Sequence, residues 1–144
     1  MRPFVTERAT RSPSPMHGVL VADPRRARGA AGEEAAAELL ASFGYEILER
    51  NFRTKYGELD IVAVDRETLV FCEVRARVGR DAIAYALESI GPGKRMQLRK
   101  MAREWFRLST AQLPATRTTR FDAIAVAMTR DGRVVSIEHV RDAF

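Results

Sequence analysis

GELDIVAVDRETLVFCEVRAR, residues 57–77, holds two apolar runs separated by a short polar stretch, a pattern typical of a β-hairpin. If Arg66 and Glu67 form a two-residue loop, the register of the whole hairpin is fixed and Asp60 lies directly opposite Glu73. Directly opposed side chains point to the same face of a sheet, and two like charges there are destabilising unless a counter-charge intervenes. The hairpin therefore predicts a site for a divalent cation at the edge of an apolar core.

The other charged residues of the hairpin leave a second interpretation open. In the same register Glu58 faces Arg75, which follows Glu73 on the same strand face. Asp60 and Glu73 could equally reach solvent or pair with Arg75 and Arg77, because buried-looking carboxylates also occur in structural ion pairs. The opposite face of the hairpin is wholly apolar, which predicts a sheet covered by helices on both sides.

Length and composition bound the class of protein. A chain of 144 residues with 46% hydrophobic residues is expected to form one domain with a core of its own. No apolar run is long enough for a membrane span, and the N-terminus lacks the apolar segment of a signal peptide, so we expect a cytoplasmic protein with no membrane partner. The single cysteine, Cys72, is predicted to be a small core residue rather than a nucleophile.

Positive charge is concentrated near the N-terminus. The net charge is +5, and residues 1–30 hold six arginines against two acidic residues. Four prolines and little apolar periodicity in residues 1–24 predict a disordered basic leader, which leaves residues 25–144 as the folded domain. A basic segment indicates a polyanion as partner, although many such segments are only solvated.

The pattern outside the hairpin predicts alternating helices and strands. Residues 25–43 have the period of a helix that stops at Gly44, with Glu33 as the acid nearest the sheet; such a glutamate more commonly reaches solvent. A strand over residues 45–52 precedes the hairpin. After it, the sequence predicts a short helix over 82–89, a helix over 94–108 and a second hairpin with strands over 120–128 and 134–140.

The helix predicted over residues 94–108 is strongly amphipathic. Its buried side is expected to comprise Leu98, Met101, Ala102, Trp105 and Phe106. Its other side carries one acid, Glu104, and six cations: Lys94, Arg95, Arg99, Lys100, Arg103 and Arg107. Such a face is predicted to contact phosphate groups, and the alternative is a face that is merely solvated.

The order of these features resembles the PD-(D/E)-x-K nuclease superfamily, particularly archaeal Holliday-junction resolvases. A helix acid is followed by a strand aspartate, a glutamate with a basic residue two positions on, a helix and another strand. Almost all of residues 27–144 is more closely similar to the YraN-like family of predicted endonucleases. The matching pieces are short, and their joint order and spacing make the resemblance specific: Gly29 with Glu33 and Ala36, Gly44-Tyr45 before Arg50-Asn51, Gly57-Glu58-Leu59-Asp60, Phe71-Cys72-Glu73-Val74-Arg75 with Arg77, Lys94, Arg120-Phe121-Asp122, and Asp142-Ala143-Phe144.

This resemblance implies both a fold and a site. The fold is a restriction-endonuclease-like three-layer α/β/α domain with a mixed central sheet and an αβββαβ core. The site has Asp60 and Glu73 as ligands of Mg²⁺ or Mn²⁺, Glu33 as an auxiliary acid, and Arg75 as the basic catalytic group with Glu58 beside it. The residues expected to contact nucleic acid are Arg77, Lys94, Arg95 and Arg99.

The implied activity is metal-dependent hydrolysis of phosphodiester bonds in structured or branched DNA, and the analogy with junction-cutting enzymes implies a homodimer. The superfamily usually has lysine where this chain has Arg75. Arginine stays protonated, so it serves only as an electrostatic clamp. One alternative is therefore a catalytically inactive nucleic-acid-binding or assembly module with a nuclease-like fold. Another is an intact fold whose cations serve only solubility.

Overall fold

A computed structural model of the protein describes residues 23–113 and 118–144. Residues 1–22 of the predicted leader lie outside the described part of the chain. Its last two residues belong to the first helix, since Asp23 is the N-cap and Pro24 is the first helical residue. Every helix and strand predicted from the sequence is present. The elements are α1 (Pro24–Ser42), β1 (Glu46–Thr54), β2 (Gly57–Asp65), β3 (Thr68–Val78), α2 (Ala82–Glu88), α3 (Pro92–Leu108), β4 (Thr118–Met128) and β5 (Val134–Val140).

The hairpin of β2 and β3 has the predicted register. Asp65 pairs with Thr68 across the turn, and the antiparallel pairs continue in step as far as Ile61 and Cys72. Arg66 has a φ of 57°, a left-handed conformation of the kind that tight hairpin turns use. The local turn geometry thus determines which residues face each other along the hairpin.

Backbone pairing between β2 and β3 ends just before Asp60. One carboxylate oxygen of Asp60, Oδ2, accepts a hydrogen bond of 2.8 Å from the backbone N–H of Val74. This side-chain bond replaces the next backbone hydrogen bond that would join β2 and β3. Beyond this point β2 remains paired with β1, where Glu58 lies opposite Arg53. The predicted opposition of Glu58 and Arg75 is therefore wrong, because the two strands have separated before that pair.

The five strands form one mixed sheet in the order β1-β2-β3-β4-β5. Neighbouring strands are antiparallel except for β3 and β4, which are parallel because α2 and α3 carry the chain back between them. Helix α1 packs on one face of the sheet, and α2 and α3 pack on the other, each side over its own apolar cluster. These layers confirm the predicted α/β class and the α/β/α arrangement around a mixed sheet.

The buried side of α3 is largely as predicted. Cys72 on β3 is also buried, as expected for a core residue. Phe106 is the exception on α3, since it is 39% exposed while Trp105 occupies the centre of the buried face. The Phe106 ring still packs edge-on against Phe71, with 5.8 Å between ring centroids. None of the helices in the described ranges is long and apolar enough to cross a bilayer.

Helix α1 lies very close to β3. A Cβ atom added to Gly32 would come within 2.8 Å of the Cβ of Ala76, so any larger residue at position 32 would push the helix away from the sheet. This close approach places the first turns of α1 beside the end of β3, where the acidic residues of the hairpin lie.

Candidate active site

Two carboxylates are buried together where β2 and β3 separate. Asp60 is 5% exposed and Glu73 is 4% exposed, and the charge of Asp60 raises the pKa of Glu73. Glu73 follows the alternation of β3, whereas the alternation of β2 is broken at Asp60, since Leu59 and Ile61 pack in opposite apolar clusters. The structure thus brings together the two residues predicted to bind a metal.

Glu73 contacts two cations through one of its oxygens. Its Oε1 lies 3.2 Å from Nη2 of Arg75 and 3.3 Å from Nζ of Lys94. Its Oε2 is buried without a hydrogen-bond partner, and so is Nε of Arg75; no other side chain in the described ranges has such an atom. A buried polar atom left without a partner costs about 1–3 kcal/mol. The pair indicates a position where a ligand completes the site.

Asp122, a third buried carboxylate, has the opposite environment. Its oxygens accept hydrogen bonds from the Arg120 guanidinium, from Nε2 of His139 and from the backbone N–H of Asp142. Burial alone would raise its pKa, but the bonds from His139 and Arg120 outweigh burial and lower the pKa of Asp122. Asp122 is thus a fully satisfied structural carboxylate, whereas Glu73 is not.

Burial raises the pKa of both carboxyl groups at the site. For Glu73, burial is the largest cause and the charge of Asp60 adds to it, so that the pKa reaches about 8 in spite of Lys94 and Arg75. For Asp60, burial raises the pKa against the hydrogen bond from the Val74 N–H. Two carboxyl groups that share a buried site need a proton or a cation between them. Below the raised pKa of Glu73 a proton meets that need, and where both groups are ionised a divalent cation meets it.

An open groove of about 830 Å³ lies between the first turns of α1, the β1–β2 connection and the first turns of α3. Lys94 lines the groove and contacts Glu73, so one side chain connects the groove to the buried pair. The charged and amide side chains along it are Arg26, Glu33, Asn51, Arg53, Glu58, Lys94 and Gln97.

The structure places Glu33 and Glu58 on the walls of this groove. Glu33 is half-buried, and burial raises its pKa, with the charges of Asp60 and Glu58 adding to the effect. Glu58 pairs with Arg53 through a contact of 2.9 Å. Glu33 therefore faces the site rather than open solvent, and Glu58 does not hold Arg75 as the hairpin register had predicted.

Asn51 belongs to one of the matching pieces of the family resemblance, but no role in the site was predicted for it. It lines the groove, it partly offsets the raised pKa of Glu33, and its φ is 53° in the middle of β1. Asparagine is depleted in strands and tolerates the left-handed conformation better than most residues. An asparagine inside a predicted strand was therefore the signal that could have identified this position.

The cations of α3 have different surroundings. Lys94, predicted on an exposed face, lies in the site with its side chain 23% exposed. Nε of Arg95 donates a hydrogen bond to the Ile90 carbonyl and its guanidinium lies over the Phe144 ring, while that of Arg99 lies over Phe121 of β4. These two arginines do not line the groove. Amphipathic periodicity identifies the exposed side of a helix but not the element next to it.

The residues present fit a hard divalent cation. Within residues 23–113 and 118–144, no three His, Cys, Asp or Glu side chains converge closely enough to hold a metal by themselves. Mg²⁺ does not require such a cluster, because it commonly binds one or two carboxylates and keeps several waters. The open Oε2 of Glu73 beside Asp60 supplies that smaller set of ligands.

The sequence is similar to a family described as uncharacterised. Residues 32–126 match the Uncharacterised protein family UPF0102. A UPF0102 protein of Moorella thermoacetica is 46% identical over 120 residues, which cover 83% of this chain and 97% of that protein. A UPF0102 protein of Pelotomaculum thermopropionicum is 44% identical over 124 residues, with 86% and 100% covered, and one of Rhodococcus opacus is 41% identical over 120 residues, with 82% and 96% covered.

Among solved structures, SfsA of Pyrococcus furiosus in complex with Ca²⁺ is similar over 78% of this chain and 62% of that protein. The sequence identity is 17% and the TM-score is 0.27. A likeness at this level carries no argument about activity.

Proposed function

We propose a function for this chain, which belongs to the uncharacterised protein family UPF0102. This membership confirms the family resemblance identified from the sequence. The function is hydrolysis of phosphodiester bonds in DNA by a divalent-cation-dependent endonuclease. One observation carries the proposal. Glu73 keeps a buried oxygen without a partner near a second buried carboxylate, Asp60, and is in contact with Lys94, a cation that lines the open groove.

Asp60 and Glu73 would hold the cation, Mg²⁺ or Mn²⁺. When bound, such a cation lowers the pKa of a coordinated water and neutralises charge that builds on a phosphate. The two carboxylates are buried too deeply to be solvated as a pair of anions, which is why we assign them to cation binding rather than to a surface ion pair.

Lys94 supplies a basic group that Arg75 cannot replace. Arg75 stays protonated, so its role is to attract and orient the phosphate. The Lys94 ammonium lies beside the same carboxylate and faces the groove, so it can stabilise charge on the phosphate and donate a proton to the leaving oxygen. Glu33, half-buried on another wall with a raised pKa, is suited to orient the attacking water and accept its proton.

The groove supports a nucleic-acid strand as substrate. Arg26, Arg53 and Lys94 line it, and cations on long side chains contact phosphates without reading bases. We therefore propose that the enzyme selects DNA by the shape of the DNA rather than by its base sequence, and that branched DNA is the preferred substrate. A homodimer remains a prediction, based on the analogy with junction-cutting enzymes that need two sites.

A catalytically inactive nucleic-acid-binding or assembly module is the second candidate. The observation that favours it is the position of Arg75 and Lys94, which both lie within salt-bridge distance of Glu73. Two cations can neutralise this carboxylate without any metal. Such a protein would bind DNA and leave it intact.

A cleavage screen with the full chain tests the endonuclease proposal. The substrates are duplex, nicked, flap and four-way-junction DNA, each with Mg²⁺ or Mn²⁺. We expect cleavage of branched substrates that disappears with EDTA and in Asp60→Asn and Glu73→Gln. Glu88→Gln, at an exposed acid of α2, is the matched control and should cleave like the wild type. Cleavage that persists in both site variants would overturn the proposal, and so would no cleavage with either metal.

A further inference from the structure

A second cavity, lined by arginines, lies on the other side of the first turns of α1. Its volume is about 490 Å³, and it is lined by Arg25 and Arg28 of α1 and by Arg75 and Arg77 of β3, with no acidic residue in its lining. Residues three apart on a helix, or two apart on a strand, lie on the same side of their element. The two elements thus present four guanidinium groups to one space.

Three of these arginines have no acidic partner within the described ranges. Arg25, Arg28 and Arg77 form no salt bridge there, and the fourth, Arg75, pairs with Glu73 while its buried Nε has no acceptor. Positive groups gathered in a concave site without counter-charges raise the local potential and attract an anion. The arginines rather than the N-terminal end of α1 supply this potential, because the Asp23 carboxylate already caps the helix by accepting a hydrogen bond from the Arg25 N–H.

Gly29 connects this cavity to the groove beside Asp60 and Glu73, because it lines both of them. A Cβ atom at Gly29 would meet nothing within 4 Å, in contrast to one at Gly32. Neither packing within the chain nor a positive φ therefore requires glycine at position 29, although glycine weakens a helix relative to alanine. The missing side chain leaves a passage over the helix between the two spaces.

We propose that the arginine cavity binds the phosphate next to the scissile one, on a DNA strand that runs from the groove over Gly29 and into the cavity. This inference rests on the proposed function for the position of the scissile phosphate at Asp60 and Glu73. Arg75 connects the two positions, since it contacts Glu73 and also lines the cavity. Its free Nε–H and the other guanidinium groups are donors of the kind that bind phosphate oxygens in pairs.

This path crosses α1 and β3 instead of the predicted basic face of α3. The guanidinium groups of Arg95 and Arg99 lie over aromatic rings of the same chain, whereas Arg25 and Arg28 line the cavity together with Arg75, which pairs with Glu73, and Arg77, which donates to the Ala76 carbonyl. The cavity also adjoins the acidic site, which the α3 face beyond Lys94 does not. The two surfaces make different predictions for the same binding measurement.

Equilibrium DNA binding by the full chain tests the path. The probe is a fluorescently labelled four-way junction, and Asp60→Asn is present in every protein to prevent cleavage. We expect Arg25→Gln/Arg28→Gln to weaken binding about tenfold and to reduce the slope of log K against log salt by about 0.7–0.9, the value for one phosphate contact. Arg66→Gln/Arg130→Gln removes the same charge from two exposed hairpin turns and should change neither quantity.

Two results of this measurement would overturn the path. One is an equal loss of affinity in the control pair and in the cavity pair, which would show a general charge effect. The other is a loss in Arg95→Gln/Arg99→Gln without a loss in Arg25→Gln/Arg28→Gln, which would place the strand on α3.

Gly29→Leu tests the passage without removing any charge. A Cβ atom at position 29 meets nothing within 4 Å, so thermal unfolding should stay cooperative. We expect affinity for the junction to fall about tenfold while the salt slope is unchanged. Full affinity in a folded Gly29→Leu protein would contradict a strand path over this residue.

Inorganic phosphate separates this inference from the fate of the endonuclease proposal. Calorimetric titration should show phosphate binding to the wild type, whether or not it cleaves DNA, and loss of that binding in Arg25→Gln/Arg28→Gln. Equal phosphate binding by the variant and the wild type would overturn the cavity as an anion site even if the protein is an active nuclease.

Discussion

Nζ of Lys94, in the first turns of α3, lies 3.3 Å from Oε1 of Glu73 in β3. A lysine thus reaches the acidic site from a helix, while β3 itself contributes Arg75 as the second cation beside Glu73. Because Lys94 also lines the groove, its ammonium lies between the buried carboxylate and the space for a substrate. This relationship makes α3 part of the candidate active site.

Replacing Lys94 should affect turnover more than binding. We expect Lys94→Ala to lower kcat about 100-fold or more, the usual effect of removing one group that stabilises transition-state charge, while KM changes little. Single-turnover cleavage of a junction substrate measures this. Arg103→Ala, at an exposed position of the same helix, is the control and should cleave normally. Folded Lys94→Ala protein that cleaves like the wild type would remove Lys94 from the mechanism.

For the rate of cleavage, the positive charge of residue 75 should matter more than whether the residue is arginine or lysine. Arg75→Lys keeps a cation beside Glu73 and should retain cleavage, whereas Arg75→Ala removes the clamp and leaves the carboxylate with Lys94 alone. We therefore expect Arg75→Ala to abolish cleavage. Equal rates in Arg75→Ala and the wild type would show that Arg75 has no role in the reaction.

Divalent cations should stabilise the folded protein through Glu73 and Asp60. At a concentration about 100 times Kd, a ligand that binds only the folded state adds about 2.7 kcal/mol, which raises Tm on the order of 10 °C for a domain of this size. Thermal unfolding with and without Mg²⁺ measures the shift. It should vanish in Asp60→Asn and Glu73→Gln and persist in Glu88→Gln. An equal shift in all four proteins would place the cation elsewhere.

Without divalent cations, the ionisation of Glu73 should destabilise the fold as pH rises. Its pKa is raised from 4.5 to about 8 in the folded state. The stability that protonated Glu73 contributes to the fold is therefore fully present below pH 4.5 and is lost as the pH rises through about 8. Each pKa unit is worth about 1.4 kcal/mol. The raised pKa corresponds to on the order of 5 kcal/mol, so in EDTA Glu73→Gln should exceed the wild type in unfolding free energy by roughly that amount above pH 8 and by less than about 1 kcal/mol near pH 5. Denaturant unfolding at the two pH values measures this difference, and a less stable variant at high pH would contradict it.

The stability that Asp122 contributes should depend on pH in the opposite direction. The pKa of Asp122 is lowered in the folded state, so its contribution to the free energy of unfolding is present at neutral pH and is lost as the pH falls through the folded pKa. Asp122→Asn leaves His139 without its charged partner and leaves Arg120 with only one acidic partner among the described residues, Asp65 at 3.5 Å, so it should cost about 3–5 kcal/mol at neutral pH. Asp131→Asn, at an exposed turn, should change stability little. If Asp122→Asn were as stable as the wild type, the network would not support the fold.

Parts of this site could be predicted because they depend on neighbours in the chain. The turn at Arg66 and Glu67 fixed the register of the hairpin, and the register brought Asp60 and Glu73 together. The helical period of α1 put Glu33 on the side facing the sheet. These predictions needed only backbone geometry and the alternation of apolar residues.

Other parts of the site could not be predicted from pattern. Glu58 pairs with Arg53 rather than Arg75, because an inner strand has two neighbours and the strength of each pairing varies along its length. Asp60 ends one of those pairings by accepting the Val74 N–H, a contact that no alternation of residues indicates.

By itself, the sequence determined the order of the elements, the register of the central hairpin and the meeting of two carboxylates on it, since these follow from contacts between residues close in the chain. Only the tertiary structure decided which cations belong to the site. The docking of α3 puts Lys94 against Glu73 and turns Arg95 and Arg99 towards β4 and the C-terminus, and the close packing of α1 on β3 through Gly32 assembles the arginine cavity. Both arrangements depend on packing between residues far apart in sequence, which periodicity along one helix does not specify.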